Sequence, residues 1–177
     1  MTPVGHVGIA APIASALRLN LPIVLVCALL PDIIDKGLWA LGMGPSRYVA
    51  HTLLFLFLVS LVFFLWKRSY GLSAFLGLAS HLLLDQLDGG TSVPWLYPFI
   101  SYSFPEHEVA PGRFFSNLFA ALEYNFTPSN LIKELVWIIA VSVFALLAQR
   151  LFLRFKKRDR KAEQVVTTRE PPRRGKS

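Results

Sequence analysis

The chain has 177 residues, of which 54% are hydrophobic, and its mean hydropathy of +0.49 is higher than a water-soluble domain of this size needs. Its formal charge of +7 belongs to one end: from Arg150 to Ser177 eleven Lys or Arg oppose three acids, giving +8, and the remaining seven basic and eight acidic residues sum to −1. This argues against a basic nucleic-acid surface spread over the fold, and the lone cysteine, Cys27, excludes an intrachain disulfide.

The composition predicts one all-α domain, a polytopic transmembrane helical bundle of about four to five membrane segments over residues 1–155. A basic tail over 156–177 is expected to be disordered and cytoplasmic. No cleavable signal peptide is expected, because the first seventeen residues lack Lys and Arg and a histidine interrupts them. Val4 to Leu19 is rich in Gly and Ala, which suits close helix packing, with His6 near its start and a kink expected at Pro12. Leu21 to Ile34 makes a thin span that ends on Asp32 and Asp35. Gly37 to Arg47 reads as an interfacial loop between Trp39 and Tyr48. Val49 to Trp66 is the clearest span, with His51 at its beginning and Lys67-Arg68 at its end. Gly71 to Leu87 follows, closed by the turn signal Asp88-Gly89-Gly90. Trp95 to Phe104 is aromatic and proline-containing, the signature of a short interfacial or re-entrant segment, and an amphipathic helix is expected around Phe114 to Tyr124. Thr127-Pro128 is a helix start, Thr as N-cap and Pro at the first position, and it launches an apolar helix to about Leu153.

The ionisable residues inside these apolar runs need a reason, since a charge at the centre of a membrane helix costs about 2.5–3.5 kcal/mol on insertion scales. His81 and Asp85 are four residues apart and so share one helix face, placed to grip one ion or to hydrogen-bond each other and tie helices together. The positive-inside rule puts the Arg150 to Lys161 cluster and Lys67-Arg68 in the cytoplasm. Propagated backwards, that orientation brings His6, Asp32, Asp35, His51, His81 and Asp85 to one outer level. Independent structural hydrogen-bonders would scatter between the two ends, so the convergence points to a metal site. Imidazole and carboxylate donors without sulfur suit zinc, with manganese or iron as alternatives, and as one ion or two. His107, between Glu106 and Glu108, reads as a solvated loop histidine, and Arg47 either as an interfacial snorkelling arginine or as an anion-holding cation.

The ordered set Leu-Leu-Pro-Asp32-Ile-Ile-Asp35, Arg47 with Ala50-His51-Thr52-Leu53-Leu54, Ser80-His81-Leu82-Leu83-Leu84-Asp85, and Trp95-Leu96-Tyr97-Pro98-Phe99, with His6 upstream, resembles the YdjM-like family of membrane-bound metal-dependent hydrolases over roughly residues 1 to 100. The resemblance implies a small helical inner-membrane protein with a hydrolase site, and carries over to His6, Asp32, His51, His81 and Asp85 as metal ligands. Lys36 stands where members of the family carry a second histidine close to the Pro-Asp motif, and Ser46-Arg47 where they carry a His-Arg pair, departures that bear on a second metal. The His-x-x-x-Asp helix is also loosely similar to the zinc ligands of bacterial phospholipase C, which suggests phosphoester hydrolysis.

The expected activity is therefore metal-dependent hydrolysis of a lipid or lipid-linked phosphoester at the outer membrane–water interface. Asp32 or Asp35 would take a proton from water, and Arg47 would steady the developing negative charge. The rival expectations are a non-catalytic membrane protein whose metal is structural or transported, and an adaptor whose basic tail binds anionic lipid or a cytoplasmic partner. Membrane lipids are the expected partners in each case, with no specific nucleic acid.

Overall fold

A computed structural model describes residues 1–88, 93–104, 114–116, 119 and 126–169, with backbone only for 157–169. The described residues contain helices and no strand: α1 (Pro3–Ala16), α2 (Leu21–Ala40), a 3-10 turn (Val49–His51), α3 (Leu53–Trp66), α4 (Arg68–Leu87) and α5 (Pro128–Arg169). His107, its flanking glutamates and most of the expected 114–124 helix lie outside the described residues.

Four of the five described helices begin where the sequence supplies a capping side chain, α4, which follows Lys67, being the exception. Thr2 accepts from Gly5 N at 3.3 Å ahead of Pro3, and Asn20 accepts from Ile23 N at 3.2 Å ahead of Pro22. Thr52 accepts from Phe55 N at 3.1 Å, and Thr127 from Asn130 N at 3.4 Å just before Pro128, as the sequence predicts. Gly42, with φ of 74°, ends α2: Gly42 N bonds Trp39 O and Met43 N reaches back to Leu38 O, a closure that needs the left-handed backbone glycine adopts without strain.

Three boundaries differ from expectation. α2 does not stop at its carboxylates but runs through Pro31, Asp32 and Asp35 to Ala40, so the first four of the eleven residues of the expected loop are helix. The Val49 segment is broken: His51 sits in a separate 3-10 turn, and α3 begins only after the Thr52 cap. α5 runs to Arg169, past the Lys156 at which disorder is expected to begin.

α4 packs against both α2 and α3, while α1 packs against α2 and α5. One buried cluster joins Cys27, Leu56, Ala74, Leu78, Leu82 and Val93, and a second joins Ala10, Ala14, Val24 and Ala28. The α2–α4 approach is closest at Gly77, where an added Cβ would lie 2.5 Å from Val24 O. One turn further along α4 comes His81, which that close approach brings within reach of α2.

The outer faces are apolar. Phe57, Val62, Leu65 and Trp66 on α3 and Val136, Trp137, Ile139, Phe144 and Phe152 on α5 are all more than half exposed, a pattern that water does not tolerate over so large an area. Among the described residues, one helix is both long and apolar enough to cross a membrane, the 29-residue Pro128–Lys156 part of α5. At about 1.5 Å per residue it exceeds a ~30 Å hydrocarbon core. α3, with 14 residues, is apolar but shorter than such a core.

Candidate metal centre

Three segments bring four ionisable side chains together. α2 supplies Asp32, the 3-10 turn supplies His51, and α4 supplies His81 and Asp85 one turn apart on its buried face. All four are at most 5% exposed, and one ligand-type atom from each lies within 4.8 Å of every other.

The ring nitrogens are assigned by their outer partners. His81 Nδ1 lies 2.7 Å from Ala28 O, a carbonyl that can only accept, so the proton is on Nδ1 and the Nε2 lone pair is bare. His51 Nδ1 lies 2.7 Å from Asp35 Oδ2, again as donor, so its Nε2 is bare as well. The two Nε2 atoms nonetheless stand 3.1 Å apart. Two lone pairs aimed at one another in a buried site repel, and a cation between them converts that repulsion into coordination.

The remaining distances fit the same point. His51 Nε2 is 3.3 Å from Asp85 Oδ2 and 3.7 Å from Asp32 Oδ1, while His81 Nε2 is 3.7 Å and 3.8 Å from the same two oxygens. A tetrahedron with metal–ligand bonds near 2.0–2.1 Å has edges of about 3.3 Å, so these five separations are those of ligands around a single ion, slightly expanded. Asp32 Oδ1 is buried and accepts no hydrogen bond, which is costly for a carboxylate unless something positive faces it. The quartet can therefore hold a metal ion.

The other residues singled out in the sequence take different positions. Asp35 is fully buried and accepts from Tyr48 N at 2.6 Å, from Ala50 N at 3.1 Å and from His51 Nδ1, so its oxygens are occupied in holding the turn that carries His51. His6, fully buried, stacks on His81 with ring centroids 3.9 Å apart, and its Nε2 lies 3.2 Å from Asp85 Oδ1 without hydrogen-bond alignment. It borders the quartet. Arg47 Nε is 3.0 Å from Asp85 Oδ2, and Lys36 Nζ is 2.6 Å from Asp32 Oδ2.

The aromatic 93–104 segment has no helix among its described residues. It docks on the start of α3 through Leu53 N to Trp95 O at 2.9 Å, and Tyr97 meets Tyr48 hydroxyl to hydroxyl at 2.9 Å. That hydrogen bond to Tyr48 holds the Tyr97 phenol above its ordinary pKa.

Glu134 is the residue that sequence reasoning passed over. It is 5% exposed on α5 and accepts from both the N–H and the hydroxyl of Thr2, so it ties the first turn of α1 to α5. An acid in an otherwise apolar run after Thr127-Pro128 was the available signal. A cleft of about 190 Å³ lies beside this contact, lined by Thr2, Leu84, Leu87, Asp88 and Trp137 among others, and none of its lining residues belongs to the quartet.

Comparison with curated proteins and with solved structures returns no match. A family model does match, that of the YdjM inner membrane protein, over residues 1–155, a span that takes in α1 to α4, the whole quartet and the apolar part of α5. The chain belongs to the YdjM inner membrane protein family.

Proposed function

We propose that the protein is an integral-membrane metal-dependent hydrolase with its metal at Asp32, His51, His81 and Asp85. The observation that carries this reading is the pair of bare Nε2 atoms 3.1 Å apart, each fixed by a partner on Nδ1. Two imidazoles with two carboxylates suit zinc first, and manganese or iron next. When bound, a divalent ion supplies Lewis acidity and a water of lowered pKa. The residues around it divide the remaining work. Asp35 orients His51 and is not available as a base, because its oxygens already accept from two backbone N–H groups and the ring. Proton acceptance falls to Asp32 through Oδ2, the oxygen that Lys36 meets, with Oδ1 turned to the ion. Arg47, beside Asp85, faces the negative charge that develops on a phosphoryl group. His6 closes the wall next to Asp85 and stands ready as a further ligand.

In this reading four to five segments enter the bilayer, the tail is cytoplasmic, and the site lies at the outer interface of the inner membrane. A phosphoester on a lipid or lipid-linked carrier is then the natural substrate, because headgroups meet that level directly.

A second reading has its own support. Four side chains at tetrahedral spacing fill a zinc coordination sphere, as structural sites do, and such an ion would hold α2, the 3-10 turn and α4 together or be cargo.

Metal analysis of detergent-purified protein, followed by chelation, zinc or manganese add-back and assay on lipid-linked phosphoesters, separates the two. Hydrolysis abolished by chelation, restored by metal and removed in Asp32→Asn supports the hydrolase. A metal-loaded protein inert across phosphoesters, carboxyl esters and amides, with all coordination positions taken by side chains, refutes it in favour of the structural or transport reading.

A further inference from the structure

Each carboxylate of the quartet carries its own cation. Lys36 Nζ lies 2.6 Å from Asp32 Oδ2, and Arg47 Nε lies 3.0 Å from Asp85 Oδ2. Exposure separates the two kinds of group: the acids are 5% and 3% exposed, Arg47 14% and Lys36 27%. The carboxylates thus face inward, and the cations occupy the more open side.

Lys36 is four residues after Asp32, so it rises from the same face of α2 one turn beyond the carboxylate. Among the described residues Asp32 is its hydrogen-bond partner, and an ammonium has three donor hydrogens. The charge count gives this arrangement a sign. With the histidines neutral, Asp32, Asp35, Asp85 and Asp88 against Lys36, Arg47 and the N-terminal ammonium, which lies 3.2 Å from Asp85 Oδ1 and 2.7 Å from Asp88 Oδ2, leave −1, and a divalent ion turns that into +1. The site repels an oxyanion when it lacks the ion and attracts one when it holds it. A lysine needed only to neutralise Asp32 would be redundant once the ion is present, because the ion does the same work from the other oxygen.

We propose that Lys36 is an anion-binding residue that works with Arg47 to hold the phosphoryl group of a ligand against the metal-loaded quartet. Lys36 supplies a mobile point charge and Arg47 a planar donor, so together they suit a tetrahedral phosphoryl group with several charged oxygens. This rests on the metal reading of the quartet, and it requires no turnover.

The test is binding of inorganic phosphate to the zinc-loaded, detergent-purified full chain by calorimetry, with zinc content measured in parallel. Lys36→Met is expected to keep its zinc and to weaken phosphate binding by about tenfold or more, as loss of one charge-assisted contact does. Lys36→Arg is expected to retain most of the affinity. Wild type stripped of zinc is expected to lose phosphate binding altogether. Competition by nanodiscs carrying phosphatidic acid, and not by phosphatidylcholine alone, assigns the phosphoryl group to a lipid headgroup; phosphate binding indifferent to both assigns it to a soluble ester. Either result keeps the role of Lys36.

Phosphate affinity unchanged in zinc-loaded Lys36→Met overturns the proposal, as does a zinc-loaded wild type that ignores phosphate. Zinc lost from Lys36→Met but kept in Lys36→Arg, with unchanged phosphate affinity in whatever fraction stays loaded, also overturns it and leaves Lys36 a partner of Asp32 alone. A protein that binds zinc and phosphate through Lys36 yet hydrolyses nothing sinks the hydrolase and keeps this inference. A hydrolase whose phosphate affinity ignores Lys36 does the reverse.

Discussion

Replacing Asp35 by Asn should cost metal although Asp35 is not among the four ligands. In the native site both Asp35 oxygens accept, from Tyr48 N, Ala50 N and His51 Nδ1. An amide keeps the shape but presents one NH₂ where a second acceptor stood. If that NH₂ faces His51, the ring must turn its Nδ1 into an acceptor and move its proton to Nε2, the atom 3.1 Å from His81 Nε2 and 3.3 Å from Asp85 Oδ2. A protonated Nε2 cannot coordinate. If the NH₂ instead takes the place of Oδ1, it faces Ala50 N, and that buried N–H loses one of its two acceptors and the turn carrying His51 loosens. Changes to the outer partner of a ligating histidine typically cost 10–100-fold in affinity, which is about 1.4–2.7 kcal/mol. Competition for zinc against a chromophoric chelator measures the loss, with helical circular dichroism confirming the fold. Ser69→Ala, at the opposite end of α4 from the quartet, is the control and should bind zinc as wild type does. Wild-type zinc affinity in Asp35→Asn, with the fold intact, would refute the assigned tautomers and with them the argument from the two bare nitrogens.

Three further outcomes follow from other contacts. Gly77→Ala places a Cβ 2.5 Å from Val24 O, so it should destabilise by about 1–3 kcal/mol and lower zinc occupancy by moving His81 off Ala28 O, read by thermal unfolding with and without zinc. Glu134→Ala leaves the Thr2 N–H and hydroxyl without their acceptor, which should cost about 1–3 kcal/mol; unfolding that matches wild type would show that the contact contributes nothing. For the proposed orientation, a cysteine introduced at Gly90 should react with an impermeant thiol reagent from outside intact cells and one at Ser69 should not, with the buried Cys27 left in place; the reverse pattern would put the site on the inner side.

That Asp32, His51, His81 and Asp85 meet was legible in the sequence because each violates its surroundings: they are ionisable groups in apolar runs, and burial makes them pay unless they converge. The division of labour among them was not legible. Asp35 looks like Asp32 in the sequence, and only the folded positions of Tyr48 N, Ala50 N and His51 separate the acid that faces the bare ring nitrogens from the one that braces the turn. The end of α2 was misjudged because Pro31 and two acids read as a stop, whereas the helix continues and uses both acids along its length. His51 was placed on a long helix because Val49 to Trp66 is apolar throughout; the Thr52 cap, a local hydrogen bond, divides it. Glu134 escaped because its partner is 132 positions away, beyond the reach of any periodicity.

That separation also sets an order of assembly. Residues 32 to 85, which carry the whole quartet, are synthesised well before Glu134, and at about 5–20 residues per second Thr2 waits roughly 7–26 s for its acceptor. During that interval α1 has only α2 and α4 to lean on, with the N–H and hydroxyl of Thr2 still unanswered. On the metal reading, the quartet is therefore complete while the helix bearing His6 is still unlatched, and an ion has time to enter before α5 arrives.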